Sequence, residues 1–415
     1  MEKVFRDPVH DAIVIRDPLF LALVDSPEFQ RLRRIRQLGL AYGTYPGAEH
    51  SRFGHSLGTY HLACLVGERL DLSPEERRLL SLAALVHDLG HGPFSHVWER
   101  TPLAAGAHEE WTWRIIRGPS RVAELLFREE GLGEALLSLL RGEGGALGSL
   151  LSGPLDLDRM DYLLRDALFT GATYGRFDVR RLVSSLVREE GEILVEEKGL
   201  ASVEEYLLAR YFMYWRVYFH KTIRAHEIVL SRLLLRARDL EREARSSPPL
   251  TSFIRGDPRL EDFLRLDDGD IFQAAKEWAE DPDPWLSDLA RRFLERRLLK
   301  PLFPQPVEEV PPELVGEVER LVEEKGFPPR YYFAADRALD LAYDYYLPGR
   351  RAIFIRRREG EKVEVSRLSP LVASLLKDPR TLGNLYVPEE CREEARILAQ
   401  AGRGSANIGL GEGNG

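Results

Sequence analysis

A chain of 415 residues suits one large domain with a smaller appendage, and is short for three full domains. Hydrophobic residues make up 44% and charged residues 30%, with a net charge of −9; this is a globular balance that disfavours a protein built to grip nucleic acid. No apolar run reaches the roughly 20 residues that span a bilayer, MEKVFRDPVH holds no signal-type segment, and two cysteines, Cys64 and Cys391, give no basis for a disulfide framework or thiolate zinc site, so a cytoplasmic address with no membrane partner is expected. In chain order, residues 3–16 read as a small β-hairpin. A helical pattern follows from Leu19 to Leu38, and another over 50–70 through Phe53, Leu57, Tyr60 and Cys64. Ser73-Pro74-Glu75-Glu76 has the form of a capping box opening a helix that runs to Gly90. Further helices are predicted near 108–117, 120–129, 133–141 and 156–170. A short hairpin is predicted at 192–200, then a long helix from Ser202 to about Arg245. SSPP at 246–249 and PLFPQPVEEVPP at 301–312 are the clearest breaks. Beyond them FPPRYYFA, RAIFIRRR and KVEVSRL read as strands of a smaller α+β unit, and GRGSANIGLGEGNG as a low-complexity tail.

Seven of the ten histidines lie between positions 50 and 108, which directs attention there. In VHDLGHGPFSH, His87 and Asp88 are adjacent at a helix end, where the backbone leaves helical geometry and both side chains can turn to one ion. His91 and His96 follow on a Gly-Pro loop that returns over the same spot. His55 lies upstream on a helix, and Asp158 downstream in LDLDRMDYLLRD. Two imidazoles and two carboxylates form a nitrogen/oxygen donor set that suits Mn, Fe, Zn, Ni or Mg.

RFGHS at 52–56, HDLGHGPFSHVWE at 87–99, HEE at 108–110 and LDLDRMDYLLRD at 155–166 together resemble the HD-domain deoxynucleoside triphosphate triphosphohydrolases. The branch is the one that includes the sterile-alpha-motif-and-HD-domain protein and its bacterial relatives; the resemblance runs from Lys3 to about Lys221, and the C-terminal unit also resembles the bacterial members. It implies a mainly α, HD-type helical fold over 1–310 with small β-hairpins, an α+β unit over 311–401 and a flexible tail over 402–415. It makes His55, His87, Asp88 and Asp158 metal ligands, His91 and His108 a catalytic pair, and His96 the general acid oriented by Glu99. Asp156 and Asp161 are left without a chemical role. For the substrate it assigns Arg52, Arg159 and Arg210 to the phosphates, Tyr162, Asp166 and Gln37 to the sugar, and Tyr218 to the base side. Lysine is common in the family where Arg159 stands, a change from a point charge to a planar fork.

The resemblance also implies a guanine-nucleotide effector site at Lys3, Val4, Asp25, Gln30 and Arg33, formed between subunits, and hence a homo-oligomer, with a tetramer favoured. His220 and Lys221 belong to that region or to the pocket. Asp11 stands where the family often has glycine after DPVH. The expected reaction is hydrolysis of a deoxynucleoside triphosphate to the nucleoside and inorganic triphosphate, with Mg accompanying the nucleotide. The residues themselves specify a metal and a phosphoester. Two other readings therefore stand: an HD phosphohydrolase of nucleoside monophosphates or guanosine alarmones, and a non-catalytic nucleotide sensor. The Arg356–Arg357–Arg358 run is either a solvated face or a further effector contact.

Overall fold

The computed structural model describes residues 2–304, 307, 310–338, 352–375 and 382–406. The tail beyond 406 lies outside them. The fold is mainly α, as expected, and opens with a hairpin of β1 (Lys3–Asp7) and β2 (Asp11–Ile15), paired antiparallel from Lys3↔Ile15 to Asp7↔Asp11. Asp7 Oδ1 accepts the amides of Val9 and His10, each at 2.9 Å, which closes the turn. Asp11 sits at φ 63°. A short polar side chain tolerates that left-handed conformation, though glycine meets it at less cost.

The predicted helix over Leu19–Leu38 is split. Asp17 and Ser26 each cap a new start followed by proline, giving α1 (Pro18–Val24) and α2 (Pro27–Arg31) before a 3₁₀ turn, Leu32–Arg34. Then come α3 (Arg52–Arg69), α4 (Pro74–Val86), α5 (His96–Glu99), α6 (His108–Arg117), α7 (Arg121–Leu126), α8 (Leu132–Leu140), α9 (Ala146–Ser152), α10 (Leu157–Thr170) and α11 (Val179–Ser184). The capping box at the head of α4 is present in both directions, Ser73 N to Glu76 Oε2 and Glu76 N to Ser73 Oγ, each 3.1 Å. Helix α3 is buried on nearly every side, which marks it as the centre of the body. A Cβ at Gly58 would lie 1.8 Å from Asp161 Oδ1, so only glycine lets α10 approach α3 this closely.

The later hairpin is β3 (Leu186–Glu189) with β4 (Glu192–Glu196), six residues earlier at its start than 192–200. The long helix predicted from Ser202 is three pieces: α12 (Leu200–Met213), one turn of π-helix over Tyr214–Tyr218, and α13 (Lys221–Asp239).

Two sheets tie the C-terminal residues to the helical body. β5 (Lys300–Pro301) and β6 (Ala334–Ala338) both pair with β9 (Leu382–Val387). β7 (Phe354–Arg356) pairs parallel with β4 and antiparallel with β8 (Lys362–Glu364). FPPRYYFA is a helical turn, Pro329–Tyr332, before β6, and KVEVSRL turns helical at Val365. Helix Arg392–Ala406 carries regular structure past the expected start of the tail. One continuous apolar core reaches from Ile13 to Ile355, Leu385 and Ala395, so the expected boundary at 310 runs through shared sheets and a shared core. Among the described residues no helix is long and apolar enough to cross a membrane.

Candidate metal centre and substrate cavity

His87 caps the C-terminus of α4, and its Nδ1 donates to Ala84 O at 2.9 Å. His55, on α3, donates Nδ1 to Asp161 Oδ2 at 2.7 Å. Each bond fixes a tautomer and turns the Nε2 lone pair inward. Both Nε2 atoms are buried without a hydrogen-bond partner. His55 Nε2 lies 2.8 Å from Asp158 Oδ1 and 3.5 Å from Asp88 Oδ2; His87 Nε2 lies 3.2 Å from Asp88 Oδ1 and 3.7 Å from Asp158 Oδ1. Two lone pairs and two carboxylates converging without a donor between them require a cation or a shared proton. Burial disfavours charge on His55, yet the carboxylates of Asp158 and Asp161 beside its two nitrogens override it and push the imidazole up to about 10. The residues fit a divalent metal ion.

A buried scaffold sets His55. Asp161 accepts from His55, from His10 Nε2 at 2.7 Å and from Arg165 at 2.9 Å through both Nε and Nη2. Arg165 also donates Nη1 to Asp7 Oδ2 at 2.8 Å. The N-terminal hairpin is thereby bonded to the residue that orients a ligand. Arg52 performs the same task for Asp88: Nη1 donates to Asp88 Oδ2, and Nε to Ser95 Oγ, both at 2.6 Å.

Beside the four ligands stands a group of three histidines and Glu99. His91 and His108 stack with ring centroids 4.0 Å apart, and His96 meets His91 edge-on at 4.8 Å. Glu99 bridges the set, accepting His108 Nδ1 at 2.6 Å and His96 Nδ1 at 3.2 Å. Burial raises the Glu99 carboxyl, but these bonds outweigh it and hold the group far below the carboxylate range. Burial, with Arg52 and His108 alongside, holds the His91 imidazole well below its ordinary value, so that ring is neutral. The loop between His91 and His96 is strained: Phe94 and Ser95 sit at φ 55° and 60°. It is held by Phe94 N to Asp268 Oδ1 at 2.6 Å and Ser95 Oγ to Arg36 O at 2.7 Å.

Both groups open onto a cavity of about 280 Å³ lined by Gln37, Arg52, His96, Glu99, Asp158, Tyr162, Asp166 and Tyr218 among others. Asp166 accepts His50 Nε2 at 2.7 Å on one oxygen and Tyr218 OH at 2.8 Å on the other. Gln37 Oε1 is buried with no donor. The π-helical turn aims Tyr214, Val217 and Tyr218 into the same space.

Residues 52–166 match the model of the HD domain, and residues 177–325 that of the HD associated region. The Bacillus subtilis protein YwfO is 40% identical, over 94% of this chain and 93% of its own length. The chain belongs to the HD-domain phosphohydrolase family. Deoxynucleoside triphosphate triphosphohydrolase SAMHD1 of Gallus gallus is 27% identical, over 97% of this chain and 74% of its own. A phosphohydrolase crystal structure from Bacteroides thetaiotaomicron superposes with a TM-score of 0.82 at 31% identity, covering 93% of this chain and 99% of that one.

Within this HD domain the sequence-derived ligands and histidines meet at one place. Arg159 and Arg210 do not line the cavity. Arg159 donates to Gly153 O at 2.6 Å and pairs with Asp156, while Arg210 is buried beneath Tyr214. Asp156, left without a role, is the N-cap of α10. The residues expected at an effector site share one surface patch: Lys3 pairs with Asp25 at 2.9 Å, Arg33 donates to Gln30 Oε1 at 2.9 Å, and Val4 is 53% exposed. Arg33 lies 3.5 Å over the Phe53 ring, which meets Phe5 beneath Lys3. His220 caps α13 and Lys221 donates to Pro304 O. Arg356 and Arg357 face Glu196 and Glu197, as a solvated charge run does.

Sequence reasoning missed the partnerships of His10, Asp7, Arg165 and His50. The spacing Asp158, Asp161, Arg165 put three polar groups on one helical face beside a ligand, and was the available signal for Asp161. Nothing local marked His10 or His50.

Proposed function

We propose that this HD-domain protein hydrolyses deoxynucleoside triphosphates to the deoxynucleoside and inorganic triphosphate. One observation carries the reading: a single cavity joins the four-ligand cluster to two acceptors suited to a sugar hydroxyl, Asp166 and Gln37. His55, His87, Asp88 and Asp158 would hold the divalent ion, with Mg accompanying the nucleotide. When bound, such an ion polarises a phosphoryl oxygen and acidifies water. Arg52, committed through Nη1 to Asp88 and through Nε to Ser95, keeps Nη2 for phosphate. His96 would pass a proton to the departing 5′-oxygen; burial, with Arg52 and His108 nearby, pulls its imidazole below the ordinary value, and the bond to Glu99 opposes that shift. His91 and His108 fix the geometry around it. Asp166 accepts the 3′-hydroxyl while Tyr162 and Tyr218 wall the sugar.

Chromatography of products tests the reading. Deoxynucleoside and triphosphate are expected with Mn or Mg, and both should vanish in His87→Ala and Asp88→Ala. Release of deoxynucleoside diphosphate and single phosphate sinks the proposed cleavage. The tie between Arg159 and Asp156 favours a second reading, a nucleoside monophosphatase that needs Arg52 alone. Including deoxynucleoside monophosphates in the substrate panel separates the two.

The reading extends to a guanine-nucleotide effector and a cytoplasmic homotetramer. It is supported by Lys3, Val4, Asp25, Gln30 and Arg33 sharing one patch. Sedimentation with and without GTP tests it, since a mass that GTP leaves unchanged and monomeric removes the extension.

A further inference from the structure

The cavity lining divides by chemistry. Arg52, Asp158 and His96 belong to the phosphate end, and Asp166 with Tyr218 to the sugar. What remains is largely apolar: Leu38, Ala41, Val97, Val217 and Ile223. Two charged side chains stand in that part of the wall, Arg100 and Glu227, since Glu99 is committed to His96 and His108. Arg100 Nη1 donates to Glu227 Oε2 at 3.2 Å. Arg224 donates to the same oxygen. Arg224 is itself clamped by Asp336 of β6, Nε to Oδ2 at 2.9 Å and Nη2 to Oδ1 at 2.6 Å. Both donors to Glu227 take Oε2. Among the described residues no hydrogen bond is made to Oε1.

We infer that Arg100 and Glu227 read the base, favouring bases with an exocyclic amine over thymine; this rests on the nucleotide reading above. Apolar walls suit a heterocycle, and a carboxylate held by two guanidinium groups through one oxygen presents the other as an acceptor at their edge. Adenine, cytosine and guanine each offer an amino group to such an acceptor beside a ring nitrogen or carbonyl for Arg100. Thymine has no amino group, and its one ring donor, N3–H, lies between two carbonyl oxygens, so a carboxylate that accepts it is also brought against a flanking carbonyl. A half-buried acceptor discriminates because a base that meets it poorly must still displace its water. Asp336 is a positioning residue: it fixes Arg224, and Arg224 fixes which oxygen of Glu227 is spoken for.

Binding of four non-cleavable deoxynucleoside triphosphate analogues, each with CH₂ in place of the 5′-oxygen so that the scissile bond is replaced, to the full Mn-loaded chain tests the inference. Wild type is expected to bind the adenine, cytosine and guanine forms about tenfold tighter than the thymine form. In Glu227→Gln the guanidinium groups demand the amide oxygen at the Oε2 position, which turns the amide NH₂ toward the base. The thymine form should then bind as tightly as the others or tighter. Asp336→Asn should shift the ratio in the same direction, and Asp336→Glu should restore it. Wild type binding all four alike, or Glu227→Gln keeping the wild-type ratio, overturns the inference. A protein that discriminates bases but releases no triphosphate fails the proposed reaction and leaves this pair standing; one that binds none of the four ends both.

Discussion

Asp161 does not itself line the cavity, yet it decides which nitrogen of His55 faces the candidate ligand cluster. Replacing it with asparagine offers an NH₂ where His10, His55 and Arg165 all need an acceptor. Metal affinity should fall about 10–100-fold with all four ligands intact, read by competition with a chromogenic chelator. A different histidine controls acid stability. His226 is buried against Tyr42 and Phe293, and burial pushes its imidazole down to about 4. Below its ordinary pKa of about 6.5 the unfolded chain takes up a proton that the folded one refuses. Stability is therefore lost as pH falls from about 6.5 toward 4, by about 2 kcal/mol at pH 5, and is unaffected above that window. Urea denaturation of wild type and His226→Phe at pH 7 and pH 5 should show the variant losing less. At this scale the candidate ligand cluster was legible because His87 and Asp88 are adjacent and the histidines cluster. His10 was not, since its partner lies 151 positions away.

Between elements, the site depends on how closely the His87–His91 turn sits on the head of α6. A Cβ at Gly90 would meet His108 O at 2.0 Å and Thr112 N at 2.3 Å. Gly90→Ala must push α6 away, carrying His108 from Glu99 and from its stack on His91. Turnover per bound ion should fall by on the order of 100-fold, the scale at which small misplacements act, measured alongside metal content. Capped helices were readable because their signals are local: Ser73, Pro74 and Glu76 fix the start of α4 wherever it packs. The π-helical turn was not. Its run YWRVYFH keeps helical spacing, and the extra residue per turn is set by the packing of Tyr214, Val217 and Tyr218 around the cavity.

Across the molecule, the C-terminal residues complete the body. β7 covers the edge of β4, and Leu385, Tyr386 and Val387 enter the common core. Ending the chain at residue 310 should bare that edge and core, giving aggregated protein on size-exclusion chromatography; a monodisperse, cooperatively melting product would show that the body stands alone. Composition shifts at the proline-rich breaks indicated where the character changes, and strand-like patches were visible beyond them. Parallel pairing of β7 with a strand 160 residues earlier has no local signature, so a second unit was expected where the fold closes on itself.

The β1–β2 hairpin is synthesised ahead of the HD domain, and its buried acceptor Asp161 follows 151 residues after His10. At about 5–20 residues per second the hairpin waits roughly 8 to 30 s for α10. A nascent chain in that interval already exposes His55, His87 and Asp88, but lacks Asp158 and the clamp on His55. On the proposed ligand assignment, selection among competing cellular cations is deferred until translation has nearly reached the end of the HD domain, and the ion that is kept is chosen by a nearly assembled cage.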